Sequence, residues 1–291
     1  HWKTKEGLVR GCSCRGTAGF VHVSCLAEQA KILVAEAEEN NLGAKGFNER
    51  WARWDHCSLC KQQYHGVVAC ALGWACWKTY VGRTEADRGI AMSRLGVALS
   101  AAGHHAEALS VKETELAMMR RLRASEENLL AAQGNLASTY DMVGRNQQAL
   151  QMRRDIYSGY IKLEGEEHLQ TLVAAENYTM SLINLERFEE AKVLMHKTIP
   201  VARRVLGENH GIPLEMRSMY AQALCRDPAA TLDDLREAVT MLEETTRIAR
   251  RVMGGAHPVA TGIELSLRNA RSVLAASEAG EDVVSKTLPP G

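Results

Sequence analysis

The sequence predicts a mainly α chain, a solenoid of helical hairpins preceded by a small metal-stapled N-terminal domain. Three observations carry that reading. A pattern recurs about every 42 residues between positions 88 and 277. Over the same stretch prolines are sparse and apolar residues return at i, i+3, i+4 and i+7, as in Leu182, Leu185, Phe188, Ala191 and Leu194, which is the period of a helix buried on one face. The third is a group of cysteines and one histidine confined to the first 60 residues.

With 291 residues and 46% hydrophobic content, the chain can bury a sizeable core, and its length suggests two domains. Lys+Arg and Asp+Glu both number 35, so the net charge is zero. That balance argues against a nucleic acid or an anionic membrane surface as the partner. The longest apolar stretch, Val67 to Trp77, is interrupted by Gly73 and falls well short of the roughly 20 residues a spanning helix needs. No secretory apolar segment is visible, and a cytoplasmic or nuclear location is expected.

The N-terminal domain is justified by donor spacing. Cys12, Cys14, His22, Cys25, Cys57 and Cys60 read CxC, seven residues, HxxC, then CxxC. Thiolates and imidazole are the donors Zn²⁺ prefers, and pairs one or two residues apart let a tight turn present both to one tetrahedral ion. A disulfide framework is the competing use of eight cysteines, but a long Ala/Leu/Glu-rich chain with its own core does not need one. Six donors do not fill two four-coordinate sites. A further CxxC pair is therefore expected upstream of His1, and the chain reads as a fragment. Cys70, Cys76 and Cys225 lie outside the pattern and read as small buried hydrophobes.

The boundaries follow from texture: the metal-stapled domain over 1–65, a connecting helix over 66–84, repeats over 85–278 and a disordered tail over 279–291. Within the repeats, Asn135, Leu136, Ala137 and Tyr140 align with Asn177, Tyr178, Thr179 and Leu182, and again with Met219, Tyr220, Ala221 and Leu224. Small residues recur where the two helices of a hairpin should cross: Gly96, Ala137, Thr179 and Ala221 on the first, Ala108, Ala149, Ala191 and Ala238 on the second. Gly103, Gly144 and Glu186 mark the turn inside each hairpin, and Gly165, Gly207 and Gly254 the expected left-handed caps. The last unit carries an insertion around 226–233, after which Thr231 and Asp234 form a capping-box pattern. His168, His210 and His257 lie a repeat apart and read as turn or cap residues. Hairpins of this kind bury their faces only by stacking.

The repeat resembles the tetratricopeptide type, and its 42-residue period with G..H at each junction is similar to the kinesin light chain subclass. The resemblance implies peptide or protein binding along a concave face lined by the first helices, with Asn135 and Asn177 where amides of that subclass bond a ligand backbone. Ser93 and Met219 replace Asn in the flanking units. The donor pattern, with CxxCK and Tyr64 three residues further on, is similar to the RING-CH zinc finger of certain ubiquitin ligases. A PHD-like chromatin reader is the alternative. In the RING-CH class ligand pairs alternate between two ions, which implies one complete zinc site from Cys12, Cys14, Cys57 and Cys60 and half of another from His22 and Cys25. The finger would dock a ubiquitin-conjugating enzyme and hold no catalytic residue. Gln29 stands where that class commonly has Trp, and Trp51 and Trp54 offer either a substitute docking patch or core packing. The function expected is a zinc-binding protein-interaction scaffold, either a ubiquitin ligase whose repeats recruit the substrate or a non-enzymatic adaptor.

Overall fold

A computed structural model describes residues 3, 5–14 and 16–287, with the side chains of Ala18 and of 280–287 outside that description. A short antiparallel pair, β1 (Val9–Arg10) and β2 (Phe20–Val21), opens the chain, with Val9 opposite Val21 and Arg10 opposite Phe20. The helices α1 (Val23–Glu39), α2 (Gly43–Trp51) and α3 (Gly66–Tyr80) follow. Then come α4 (Glu85–Ala101), α5 (His105–Arg121), α6 (Glu126–Met142), α7 (Asn146–Glu164), α8 (Leu169–Asn184) and α9 (Phe188–Leu206). The series closes with α10 (Gly211–Arg226), α11 (Leu232–Met253) and α12 (Pro258–Thr287). The fold is mainly α, a helical-hairpin solenoid of tetratricopeptide type with a small N-terminal cysteine-rich domain. No helix among the described residues is long and apolar enough to cross a membrane. The last helix runs to Thr287, into the stretch expected to be a disordered tail, and 288–291 lie outside the described residues.

The chain divides into two compact units, 1–145 and 146–291. The division does not fall at the edge of the finger, and α3 supplies the reason. Val68, Leu72, Cys76 and Tyr80 of α3 share one core with Cys12, Cys57, Trp51 and Trp54 on one side and Ala91 of α4 on the other. Gly73 sharpens the fit: a Cβ there would stand 2.6 Å from Ala98 Cβ and 3.3 Å from the backbone of Leu95, so α3 and α4 cross at a distance only glycine permits.

In the second unit α7 to α12 pack as successive neighbours. Ala149, Ala191, Ala238, Thr179 and Ala221 are fully buried. The junctions have a specific chemistry. Gly207 and Gly254 end their helices at the positive φ expected, +84 and +86, with ψ opened to 154 and 151 from the left-handed helical value. Three residues on, His210 and His257 cap the next helix through Nδ1, which accepts from the backbone N–H of Ile212 at 3.3 Å and of Val259 at 3.2 Å. His168 does the same for Gln170 at 3.4 Å. The Thr231–Asp234 capping box is fully formed.

Candidate metal centre

Cys12 and Cys14 sit in the loop leaving β1, and Cys57 and Cys60 in a turn after the 3-10 segment Ala52–Trp54. That second turn is a tight knuckle. Lys61 N–H donates to Cys57 O at 3.0 Å, Cys57 N–H donates to Gln62 O at 2.9 Å, and Lys61 takes φ +60, a left-handed conformation unfavourable for a side chain-bearing residue. Two further contacts close the loops on each other: His65 N–H donates to Gly11 O at 3.0 Å, and Gly11 lies so close to Val68 that a Cβ would meet its side chain at 2.4 Å.

The result is a cluster in which the four sulfurs of Cys12, Cys14, Cys57 and Cys60 all lie within 4.8 Å of one another, with Cys14 and Cys57 3.7 Å apart. Sulfurs bound at roughly 2.3 Å to one tetrahedral ion stand about 3.8 Å apart, so the donor set fits a soft, four-coordinate cation. Cys12 and Cys57 are buried and Cys14 and Cys60 half-buried. Burial pushes the thiols of Cys12 and Cys14 up, Cys14 to about 12. Burial acts the same way on Cys57, but the backbone N–H groups of Cys60 and Leu59 and the neighbouring thiols outweigh it and bring Cys57 down to about 7.

His22 and Cys25 do not join that cluster. They pair separately, with Nδ1 and Sγ 3.9 Å apart, His22 at the N-cap of α1 and Cys25 exposed in its first turn. Glu6, which the spacing pattern gave no reason to single out, sits at that helix start. Its carboxylate accepts from Val23 N–H at 2.6 Å and Ser24 N–H at 3.2 Å, and its hydrogen bonding to Ser24 holds its pKa below the ordinary carboxylate value. Trp51 and Trp54 are core: they are 4% and 2% exposed, Trp51 stacks on Phe47 and tilts against Tyr80, and Trp54 meets Tyr80 edge-on. Neither forms a docking patch. Gln29 is exposed on α1, beside a depression of about 690 Å³ that also takes in Cys25 and Ile32.

On the repeats, Asn135 and Asn177 are both exposed on first helices, α6 and α8. Asn135 lines a groove of about 440 Å³ with Gly89, Ile90 and Ser93 of α4 and Ala131 of α6. Its backbone carbonyl accepts from Lys112 Nζ at 3.2 Å, a buried ammonium that also donates to Thr139 Oγ1 at 2.7 Å and Ser100 Oγ at 3.0 Å. One repeat on, Arg153 donates to Ser181 Oγ in the same way. No spacing rule separates these buried cations from the surface ones.

With this geometry in place, comparison with known proteins is informative. The RING-variant domain model matches residues 1–41, taking in Cys12, Cys14, His22 and Cys25 and stopping short of Cys57 and Cys60. A tetratricopeptide repeat model matches residues 171–211. The chain thus opens on a stretch similar to the RING-variant domain and continues into tetratricopeptide-type hairpins, one stretch of which the repeat model matches. No curated protein matches it in sequence. Among solved structures it is similar to the nearly identical TPR-like repeats of a putative kinesin light chain of Podosopora anserina, in a single-substitution form, at TM-score 0.57 and 20% identity over 70% of this chain and 94% of that one. It is also similar to BtubC (BKLC) from P. vanneervenii, at TM-score 0.53 and 14% identity over 93% and 95%. At such identities the likeness is one of fold.

Proposed function

We propose that the chain is a zinc-stapled protein-interaction scaffold, in which Cys12, Cys14, Cys57 and Cys60 hold a structural zinc and the first helices of the repeats receive a peptide segment of a partner protein. The observation that carries this reading is the convergence of four thiols from two distant loops within 4.8 Å. Four protein thiolates leave no open coordination position for substrate, which is the donor set of a structural zinc. The zinc would fix the two loops and supply no reaction step. On the repeats, Asn135 and Asn177 offer exposed amides able to bond a peptide backbone.

The finer reading is ubiquitin transfer, supported by the RING-variant match. In it the finger docks a ubiquitin-conjugating enzyme and the repeats select the target. Gln29 in place of Trp and the burial of Trp51 and Trp54 remove the aromatic docking surface, which favours the adaptor form of the scaffold. Elemental analysis of the purified chain should return zinc bound in proportion to intact Cys57. A panel of conjugating enzymes with the chain should yield no ubiquitin chains, and a peptide array should lose its strongest signals with Asn135→Ala or Asn177→Ala. Robust autoubiquitination would overturn the adaptor form, and an array indifferent to both asparagines would overturn the peptide surface.

A further inference from the structure

The knuckle bearing Cys57 and Cys60 is gripped from outside the finger. Asp55, two residues before Cys57, follows the 3-10 turn Ala52–Trp54, and its backbone oxygen accepts from Tyr64 N–H at 2.8 Å across the base of the knuckle. Its carboxylate lies 2.8 Å from His56 Nδ1 and accepts from the guanidinium of Arg94, a residue of α4. The pair is well covered, with the Asp55 side chain 16% exposed and that of Arg94 31%. The place of Arg94 is fixed by packing: Gly73 lets α3 meet the backbone of Leu95 and the methyl of Ala98, and Ala91 enters the core that holds Cys12 and Cys57. A charge-assisted bond from a rigid helix to the residue that starts a ligand turn is how outer groups orient metal ligands.

We infer that Arg94 is a positioning residue of the metal centre: through Asp55 it holds the Cys57–Cys60 knuckle in ligand geometry, so the finger's grip on its metal depends on the first repeat helix. The inference rests on the reading that the four thiols bind a metal. It has a reciprocal side, because linkage requires that metal binding stabilise the placement of α4, and with it Gly89, Ile90 and Ser93 at the edge of the 440 Å³ groove.

The test uses the full chain titrated with Co²⁺, whose thiolate charge-transfer bands report both affinity and tetrahedral geometry, with helical content followed by circular dichroism. Arg94→Met should weaken Co²⁺ binding roughly 10- to 100-fold, the usual effect of removing an outer-shell partner. Arg94→Lys should recover part of the loss. Arg121→Met is the control: Arg121 of α5 pairs with Glu85 at 2.5 Å in the same unit, and its loss should leave Co²⁺ binding unchanged. If Arg94→Met does not fold, the near-isosteric Asp55→Asn decides, with the same weakening expected. Co²⁺ affinity unchanged in the Arg94 and Asp55 variants would overturn the inference alone, and so would equal weakening by Arg121→Met. A wild-type chain that takes up no Co²⁺ would overturn the metal-site reading and this inference with it.

Discussion

Around the four thiols, two loops separated by more than forty residues meet on a small aromatic core of Trp51, Trp54, Tyr64 and Tyr80. In 146–291, by contrast, the buried positions are methyl-sized residues at helix crossings with Leu, Ile and Met between them. The first arrangement is set by where donors point and the second by how closely backbones approach. A loop region has few ladder hydrogen bonds to hold it, so a ligand ion or its equivalent must fix the geometry. A hairpin array is held by many small dispersion contacts, and its weak points are single volumes and single charges. Substituting along both regions should therefore reveal two different kinds of sensitivity.

The largest effect belongs to the finger. Cys57→Ser should lose the metal, and with it an energy on the order of 10 kcal/mol of coupled binding and folding, in the range of structural zinc modules. Near-ultraviolet circular dichroism should show the environment of Trp51 and Trp54 collapse, and a chelator should reproduce the change in the wild type. The far-ultraviolet melt of the repeats in 146–291 should persist. Loss of both signals together would erase the contrast between the regions.

The next effect belongs to a charge inside the repeats. Glu176 of α8 is 8% exposed, one of its oxygens has no partner, and burial, with the charge of Glu215 on α10 adding to it, raises its pKa from 4.5 to about 8. The folded protein holds a proton there that the unfolded chain releases. Stability from this group is complete below about pH 4.5 and is lost as pH rises through 8, an effect on the order of 3 to 5 kcal/mol. Urea unfolding at pH 5 and pH 9 should show the fall, and Glu176→Gln should flatten it. An equal fall in the variant would assign the pH dependence to other groups.

The same contrast explains what could be read in advance. The hairpins were legible because Ala108, Ala149, Ala191 and Ala238 repeat a volume, and a fixed period makes volume visible in a linear sequence. Of the thiols, the motif spacing marked all four, and the alternating pairs that the RING-CH resemblance implies grouped Cys12, Cys14, Cys57 and Cys60, the set whose sulfurs lie within 4.8 Å of one another. The Arg94 grip on Asp55 was invisible because neither residue belongs to a motif and the two meet across α3 packing. Lys112 and Arg153 were equally hidden: at the next equivalent positions Met195 and Ala223 stand in for the cation and its hydroxyl partner, so the polar pair is not periodic. Gly207 and Gly254 keep the expected positive φ but open in ψ, which carries the chain on toward the His that begins the next helix.

Ala191→Leu sharpens the volume side of the comparison. Ala191 is fully buried among Leu182, Ile183 and Phe188, and the added carbons have no space there, so overpacking should cost roughly 1 to 3 kcal/mol. Ala149→Leu should behave alike. Thermal unfolding unchanged in both would mean that the crossing tolerates a wider separation than the structure shows.

The smallest effect tests a local hydrogen bond against all this packing. Thr231 restarts the chain after the insertion: its hydroxyl accepts from Asp234 N–H at 3.2 Å, while the Asp234 carboxylate accepts from Thr231 N–H at 2.8 Å. Thr231→Ala removes one half of this box and should cost about 1 kcal/mol, since water can reach the exposed helix start and replace part of what is lost. Because α11 is anchored by Leu235, Ala238 and Leu242, all buried, fraying should stop within its first turn. Amide exchange should quicken at 232–235 and remain slow at Leu242. Faster exchange along the whole of α11 would show that the cap, rather than the core, holds this helix in place.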